Sequence, residues 1–246
     1  SGERGNSVKS RIAGTVTLLG LMGGLQVAQA EPNTTPGGAT EAHAGHGQHA
    51  SDGGFHKRFD NAAKWVERFD NPERTAWQKP DEVVRALGLK GTESVADIGA
   101  GTGYFATRIA QRVPEGKVFA ADVEPDMVRY LGERAKVEKL ANIVPVQAGE
   151  ASDNLPEPVD VVLLVNTYHH IGNRETYFAA LASKLKPDGR LVIVDFKPDS
   201  PDGPPREHRV ASEKAIAEMK AAGYALAETH DFLPRQYFLV FRRARS

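Results

Sequence analysis

The chain has 246 residues, 40% hydrophobic and 26% charged, the proportions of an ordinary globular protein with one sizeable core or two small ones. With 31 Lys and Arg against 32 Asp and Glu, its formal net charge of −1 gives no electrostatic ground for nucleic acid or an anionic membrane as partner. It contains no cysteine, which excludes disulfides, thiolate metal sites and a thiol nucleophile.

The first element is not a domain. "SVKSRIAGTVTLLGLMGGLQVAQA" opens with Lys9 and Arg11, continues as an apolar run from Ile12 to about Val27, and closes on Ala28-Gln29-Ala30. This is the three-part layout of a signal peptide, residues 1–30, with cleavage after Ala30. The expectation is a periplasmic or secreted protein with no stable membrane anchor after cleavage, and a cytoplasmic one if the N-terminus is misassigned. A single membrane anchor is the competing reading; the run is glycine-rich and shorter than the roughly 20 residues a span needs.

Residues 31–55 are dense in Gly, Pro, Thr, Ala and His and carry no hydrophobic periodicity, so they read as a disordered linker. His43, His46, His49 and, just beyond, His56 have donor chemistry for Zn²⁺ or Cu²⁺, but the composition reads as a solvated tail and no metal site is assigned.

From Lys57 the chain alternates. "KRFDNAAKWVERFD" and "PDEVVRALGL" have helical spacing, with Trp65, Val66 and Phe69 and then Val83, Val84 and Leu87 on the inner sides. Residues 56–90 form an N-terminal helical segment, and residues 91–246 the core. "ESVADIG" is a short apolar strand followed by a helix from about Tyr104 to Val113. "GKVFAADV" is a second strand. "PDMVRYLGERAKVEKL" is a helix opened by Pro125, with Met127, Val128, Leu131 and Ala135 inward. "NIVPVQ" and "PVDVVLLVN" are the third and fourth strands, and "RETYFAALASKLK" is a helix stopped by the turn Pro187-Asp188-Gly189. "RLVIVDF" is the fifth strand, and a helix over about Ala211–Ala222 places Ile216 and Met219 inward. "ALAETHDF" and "QYFLVFRR" flank the short turn at Leu233-Pro234-Arg235, which is too short for a crossover helix, so they pair as a hairpin.

Strands alternating with helices predict a doubly wound, mostly parallel α/β sheet of seven strands, with helices on both faces and an antiparallel C-terminal edge. In such a sheet "DIGAGTGYF" is the first strand–turn–helix junction, where a ligand meets backbone N–H groups. A dinucleotide fingerprint would require Gly at Tyr104. Asp97 would also repel a pyrophosphate, whereas a ligand carrying an ammonium and a sulfonium suits that carboxylate. The residues therefore favour S-adenosylmethionine over NAD(P).

"DIGAGTG" followed by "AADVEPDMV" resembles the motif set of the class I S-adenosylmethionine-dependent methyltransferases, and the order of elements from about Asp81 to Arg243 is similar to that family throughout. The segment around "RFDNPERTAWQKP" resembles a bacterial, substrate-unassigned subgroup of it. The resemblance implies a methyl transfer to a small-molecule acceptor by in-line displacement, with S-adenosyl-L-methionine as cofactor. It implies that Asp97, Gly99, Ala100, Gly101 and Gly103 hold the methionine part. Asp122, with Val123 beside it, would take the ribose hydroxyls. Glu150 and the Ala151 backbone would meet the adenine, and Asn166 belongs to the same cofactor-binding set.

"NTYHHI" ends the fourth strand on that rim, where the family places residues facing the methyl group. His169 or His170 is the candidate general base, and Tyr168 shapes the pocket. The competing reading is that one of the histidines caps the next helix or packs under the cofactor. Asp195, Phe196 and Lys197, and less strongly Tyr237, are further candidates for substrate contact. Phe69, Trp77 and Gln78 would line a lid made by the N-terminal segment. A non-catalytic module that binds S-adenosylmethionine or S-adenosylhomocysteine is the alternative, and an NAD(P)-dependent oxidoreductase the more distant one. The oligomeric state has no sequence signal.

Overall fold

Short runs of Val, Ile, Leu and Ala become buried parallel strands when helices cover both sheet faces, and that arrangement is present here. The computed structural model describes residues 61–245. The expected signal peptide (1–30), the expected linker (31–55) and the histidines at 43, 46, 49 and 56 lie outside the described residues.

The elements are α1 (Ala62–Phe69), α2 (Glu73–Gln78), α3 (Pro80–Ala86), β1 (Ser94–Ile98), α4 (Ala106–Arg112), β2 (Lys117–Asp122), α5 (Pro125–Val137), β3 (Ile143–Gln147), β4 (Val159–Val165), α6 (Arg174–Leu181), β5 (Leu185–Phe196), α7 (Ser212–Ala221), β6 (Tyr224–His230) and β7 (Gln236–Arg243). The seven strands lie in the order β3-β2-β1-β4-β5-β7-β6. Strands β1 to β5 are mutually parallel, and β7 runs antiparallel between β5 and β6. The expected hairpin is present, with its second strand turned inward to pair with β5.

Alternate residues of the strands feed two cores. Val95, Val161, Leu163, Val192 and Val194 pack with α3, α4 and α5 through Val83, Leu87, Ile109 and Leu131. Ala96, Ile98, Val162, Leu164 and Ile193 pack with α6 and α7 through Phe178, Leu181 and Met219. The period of two sorts each strand between these cores.

Two local expectations change. Pro187-Asp188-Gly189 does not end a helix before the strand. It lies inside β5 as an irregularity, with Val159 opposite Leu185 but Val161 opposite Arg190. A short second helix, α2, also stands between the two predicted N-terminal ones; Lys79 at φ 45° separates it from α3, where Pro80 takes the first helical position.

Candidate active site

The strand order reverses direction between β1 and β4, since β1 lies beside β2 on one side and β4 on the other. The carboxyl ends of the strands there form the crevice in which ligands of open α/β sheets bind. The glycine turn sits at that point. The N–H groups of Gly99 and Ala100 both donate to the Ala121 carbonyl, at 2.8 and 3.0 Å, so the turn is tied to the end of β2. The Gly101 N–H donates to Asp122 Oδ2 at 2.8 Å, and the Glu124 N–H to Asp122 Oδ1 at 3.0 Å.

The glycines have different reasons to be there. A Cβ on Gly99 would stand 2.3 Å from Thr167 Oγ1 at the end of β4, and one on Gly103 would stand 2.8 Å from the Leu131 side chain. Both positions are closed by the protein itself. Only Gly101, at φ 56°, meets nothing closer than the Phe69 ring at 3.4 Å. Gly99→Ala is therefore expected to cost about 2–4 kcal/mol in urea unfolding, from the positive φ and the collision with Thr167. Gly101→Ala is expected to cost about 1 kcal/mol, and its effect falls on ligand approach, read by calorimetric binding of S-adenosylhomocysteine.

Asp97 lies on β1 just before the turn and is 3% exposed. Its Oδ2 has no hydrogen-bond partner among the described residues. Burial, and then the neighbouring Asp122, push its carboxyl up to about 7; the Ala106 backbone N–H and Arg74 offset part of this. Burial raises Asp122 as well, against the two backbone N–H groups that favour its charge. Two buried carboxylates, one with an orphaned oxygen, make a site that is completed by positive charge.

Further along the rim, Val123 is 48% exposed, an apolar surface next to Asp122. Glu150 and Ala151 are exposed on the loop after β3. Gln147, which carried no signal in the sequence, ties that loop to β2 by donating to the Val123 carbonyl at 2.9 Å. Asn166, at φ 57°, accepts a hydrogen bond from Gln236, whose own carbonyl accepts one from Gln78 at 3.0 Å. Gln78 in turn accepts from Arg74. A line of four polar side chains thus runs from α2 to the end of β4, with Gln78 and Gln236 fully buried. Gln78 was legible as a lining residue; Arg74 and Gln236 were not.

The three residues of "YHH" form a single 3₁₀ turn and point to different places. Tyr168 does not shape the pocket. It is fully buried in the α6–α7 core, stacked on Phe178 with centroids 5.4 Å apart, and its hydroxyl donates to Glu218 at 2.7 Å. Burial and Glu218 hold that hydroxyl in its neutral form. His169 turns toward the end of β5. Its Nδ1 lies 2.9 and 3.0 Å from the two oxygens of Asp195, and its backbone N–H donates to Asp195 Oδ2 at 3.0 Å. Asp195 also accepts the Phe196 N–H at 2.7 Å. His170 is half-buried, its ring 4.1 Å from that of His169.

Tyr237 lies opposite Asp195 in the β5–β7 register, and its buried hydroxyl has no partner among the described residues. Trp77 of α2 and Phe196 close this side with ring centroids 5.8 Å apart. Lys197 Nζ donates to the Leu233 carbonyl at 3.0 Å, so it braces the β6–β7 turn. Among the described residues, no group of three His, Cys, Asp or Glu is placed to hold a metal ion, and no helix is long and apolar enough to cross a membrane.

Known proteins are similar to this chain in sequence and fold. Residues 95–189 match the family described as a methyltransferase domain. A protein-L-isoaspartate O-methyltransferase of Aeropyrum pernix is 32% identical over 143 residues, covering 52% of this chain and 51% of its own length. A demethylmenaquinone methyltransferase of Tropheryma whipplei is 28% identical over 158 residues, covering 61% of this chain and 62% of its own. This chain thus spans about half to three fifths of those relatives. The crystal structure of a SAM-dependent methyltransferase from Aquifex aeolicus superposes with a TM-score of 0.68 at 25% identity, over 74% of this chain and 97% of that one. Residues 95–189, the glycine turn included, match a methyltransferase domain, and the seven-stranded fold is that of the class I S-adenosylmethionine-dependent methyltransferases.

Proposed function

We propose that this protein transfers a methyl group from S-adenosylmethionine to a small-molecule acceptor. The observation that carries the reading is Asp97: a buried carboxylate with an orphaned oxygen, set against a glycine turn at the sheet's switch point. A cationic amino group completes that oxygen, whereas a pyrophosphate would be repelled by it. Tyr104, packed between Arg74 and Arg108 at 4.2 and 4.1 Å, fills the place where a dinucleotide turn needs its last glycine.

When bound, the cofactor supplies a methyl group on a sulfonium, ready for in-line displacement. Asp97 would hold its amino group, and the open face of Gly101 would let its amino-acid end approach the turn. Each oxygen of Asp122 accepts one backbone N–H and keeps a lone pair for a ribose hydroxyl. Val123, Glu150 and Ala151 line the path along the rim toward the adenine, and Asn166, after β4 on the other side of β1, stands toward the methionine end.

On the acceptor side, Asp195 accepts from His169 Nδ1, which puts the ring proton on Nδ1 and the lone pair on Nε2. His169 then removes the proton of a hydroxyl or amine acceptor as its nucleophilic atom meets the methyl group. His169 is buried near Phe196, over which Trp77 of α2 lies, and this favours a small acceptor over a macromolecular one.

Calorimetric titration with S-adenosylhomocysteine and with NADH tests the cofactor. Binding of the first and none of the second is expected; the reverse result would falsify the reading. Transfer of labelled methyl groups to a panel of small phenols and amines then separates an enzyme from a binding module. Export belongs to the same proposal, and N-terminal sequencing of the mature chain from fractionated cells should begin at Glu31.

A further inference from the structure

The amino-acid end of the cofactor carries a carboxylate as well as an ammonium, and none of the residues assigned above is a cation. Two buried carboxylates already face this corner, so a third without a counter-charge would be strongly disfavoured. We propose that Arg74, on α2, is the residue that receives the cofactor's carboxylate; this rests on the S-adenosylmethionine reading of the site.

The other cations around the glycine turn are committed. Arg134 donates to Asp70 at 2.6 Å, to Glu138 at 2.7 Å and to the Thr102 carbonyl at 2.9 Å. Arg108 donates to the Tyr104 carbonyl at 2.6 Å and lies 3.8 Å from Asp81 at the surface. Arg235 is paired with Asp202 beyond Trp77. Arg74 differs from all three. Its hydrogen-bond partners are neutral: Nη1 donates to the Phe69 carbonyl at 2.6 Å and Nε donates to Gln78.

Its position is also the right one. The guanidinium lies 4.2 Å from the centroid of Tyr104, the residue that follows the last glycine of the turn. Nη1 is held by Phe69, whose ring stands 3.4 Å from the open Cβ position of Gly101. Among the described residues, these bonds use Nε and Nη1 and leave Nη2 for an incoming oxygen. The fork is held in plane by the stack on Tyr104 and by the line from Gln78 through Gln236 to Asn166. A guanidinium fixed in this way loses little freedom when it binds a carboxylate. α2 thus brings to the turn the charge that β1 and β2 lack.

The test compares S-adenosylhomocysteine with its decarboxylated analogue, which keeps the amine, by calorimetry on the wild-type protein, Arg74→Met and Arg74→Lys. The wild type should bind the carboxylate-bearing ligand more tightly. Arg74→Met should weaken that ligand about tenfold to hundredfold, the scale of a lost charge-assisted hydrogen bond, and leave the analogue within about threefold. Arg74→Lys should keep part of the discrimination, because charge survives without the planar fork. Equal weakening of both ligands, or no change in either, would overturn the role of Arg74 and leave the cofactor reading standing. If the wild type binds neither ligand, the cofactor reading itself fails. Thermal melts identify a misfolded variant; should Arg74→Met not fold, an undiminished ratio in Arg74→Lys counts against the proposal and a reduced ratio supports it.

Discussion

Asp97→Asn is expected to make the ligand-free protein more stable above pH 7 and, at the same time, a much poorer binder of S-adenosylhomocysteine. The buried carboxyl has its folded value raised from 3.8 to about 7, so folding favours the protonated form. Between those pH values the folded chain holds a proton that the unfolded chain has released, and stability falls as pH rises. Above about 7 both states are ionised and the penalty is complete; below about 4 both are protonated and it vanishes. Each pH unit separating the two values is worth about 1.4 kcal/mol, so the gain from asparagine is on the order of a few kcal/mol at pH 8 and close to zero at pH 4. Thermal melts across that range measure it, at roughly 2–4 °C per kcal/mol for a chain of this size.

Binding has the opposite sign. A cationic amino group selects the ionised carboxylate, so wild-type affinity should climb up to tenfold per pH unit below about 7 and level off above it. Asparagine should lose about ten- to hundredfold in affinity at pH 8 and most of the pH dependence. Asp122, raised in the same direction by burial, leaves the variant a smaller residual slope. A variant that is stabilised yet binds normally would detach Asp97 from the cofactor.

The second large effect is expected at the His169–Asp195 pair. His169→Ala should lower the rate of methyl transfer by about 10²–10⁴, the range for a general base, with cofactor affinity within about threefold. Asp195→Asn should approach the same loss by another route. Its amide can present a donor to Nδ1, which moves the ring proton to Nε2 and removes the lone pair needed there. Asp195 also accepts the backbone N–H groups of His169 and Phe196, so this variant should lose about 1–3 kcal/mol of stability as well. The informative comparison is kcat against KM with pH. Loss of kcat together with its acid limb supports the base, while a rate unchanged in both variants shows that the acceptor reacts without losing a proton at this site.

Much of the molecule was readable in one dimension. A strand buried on both faces must be a continuous apolar run, and a helix packed on a sheet face must show a 3.6-residue stripe, so the succession of strands and helices along the chain followed from spacing, α2 apart. The glycine turn was readable for the same local reason, since positive φ at 99, 101 and 103 selects glycine within the segment itself. What those glycines face was not. Thr167 is 68 positions from Gly99 in number but lies against it in space, because β1 and β4 are neighbours in the sheet. Tyr168 and His169 are adjacent in sequence, yet one enters the α6–α7 core and the other meets Asp195. A tight turn sends consecutive side chains in different directions, and no periodicity reports which.

By itself, then, the sequence determined the alternation of elements, the site of the turn and the acidic residues at the strand ends, all set by local backbone and hydrophobic preferences. The tertiary structure alone decided which distant groups become partners: Asp195 for His169, Gln236 for Gln78 and Asn166, and Arg74 for the glycine turn. Those pairings depend on strand register and on how α2 lies across the rim, and register is a property of the whole sheet rather than of any one segment.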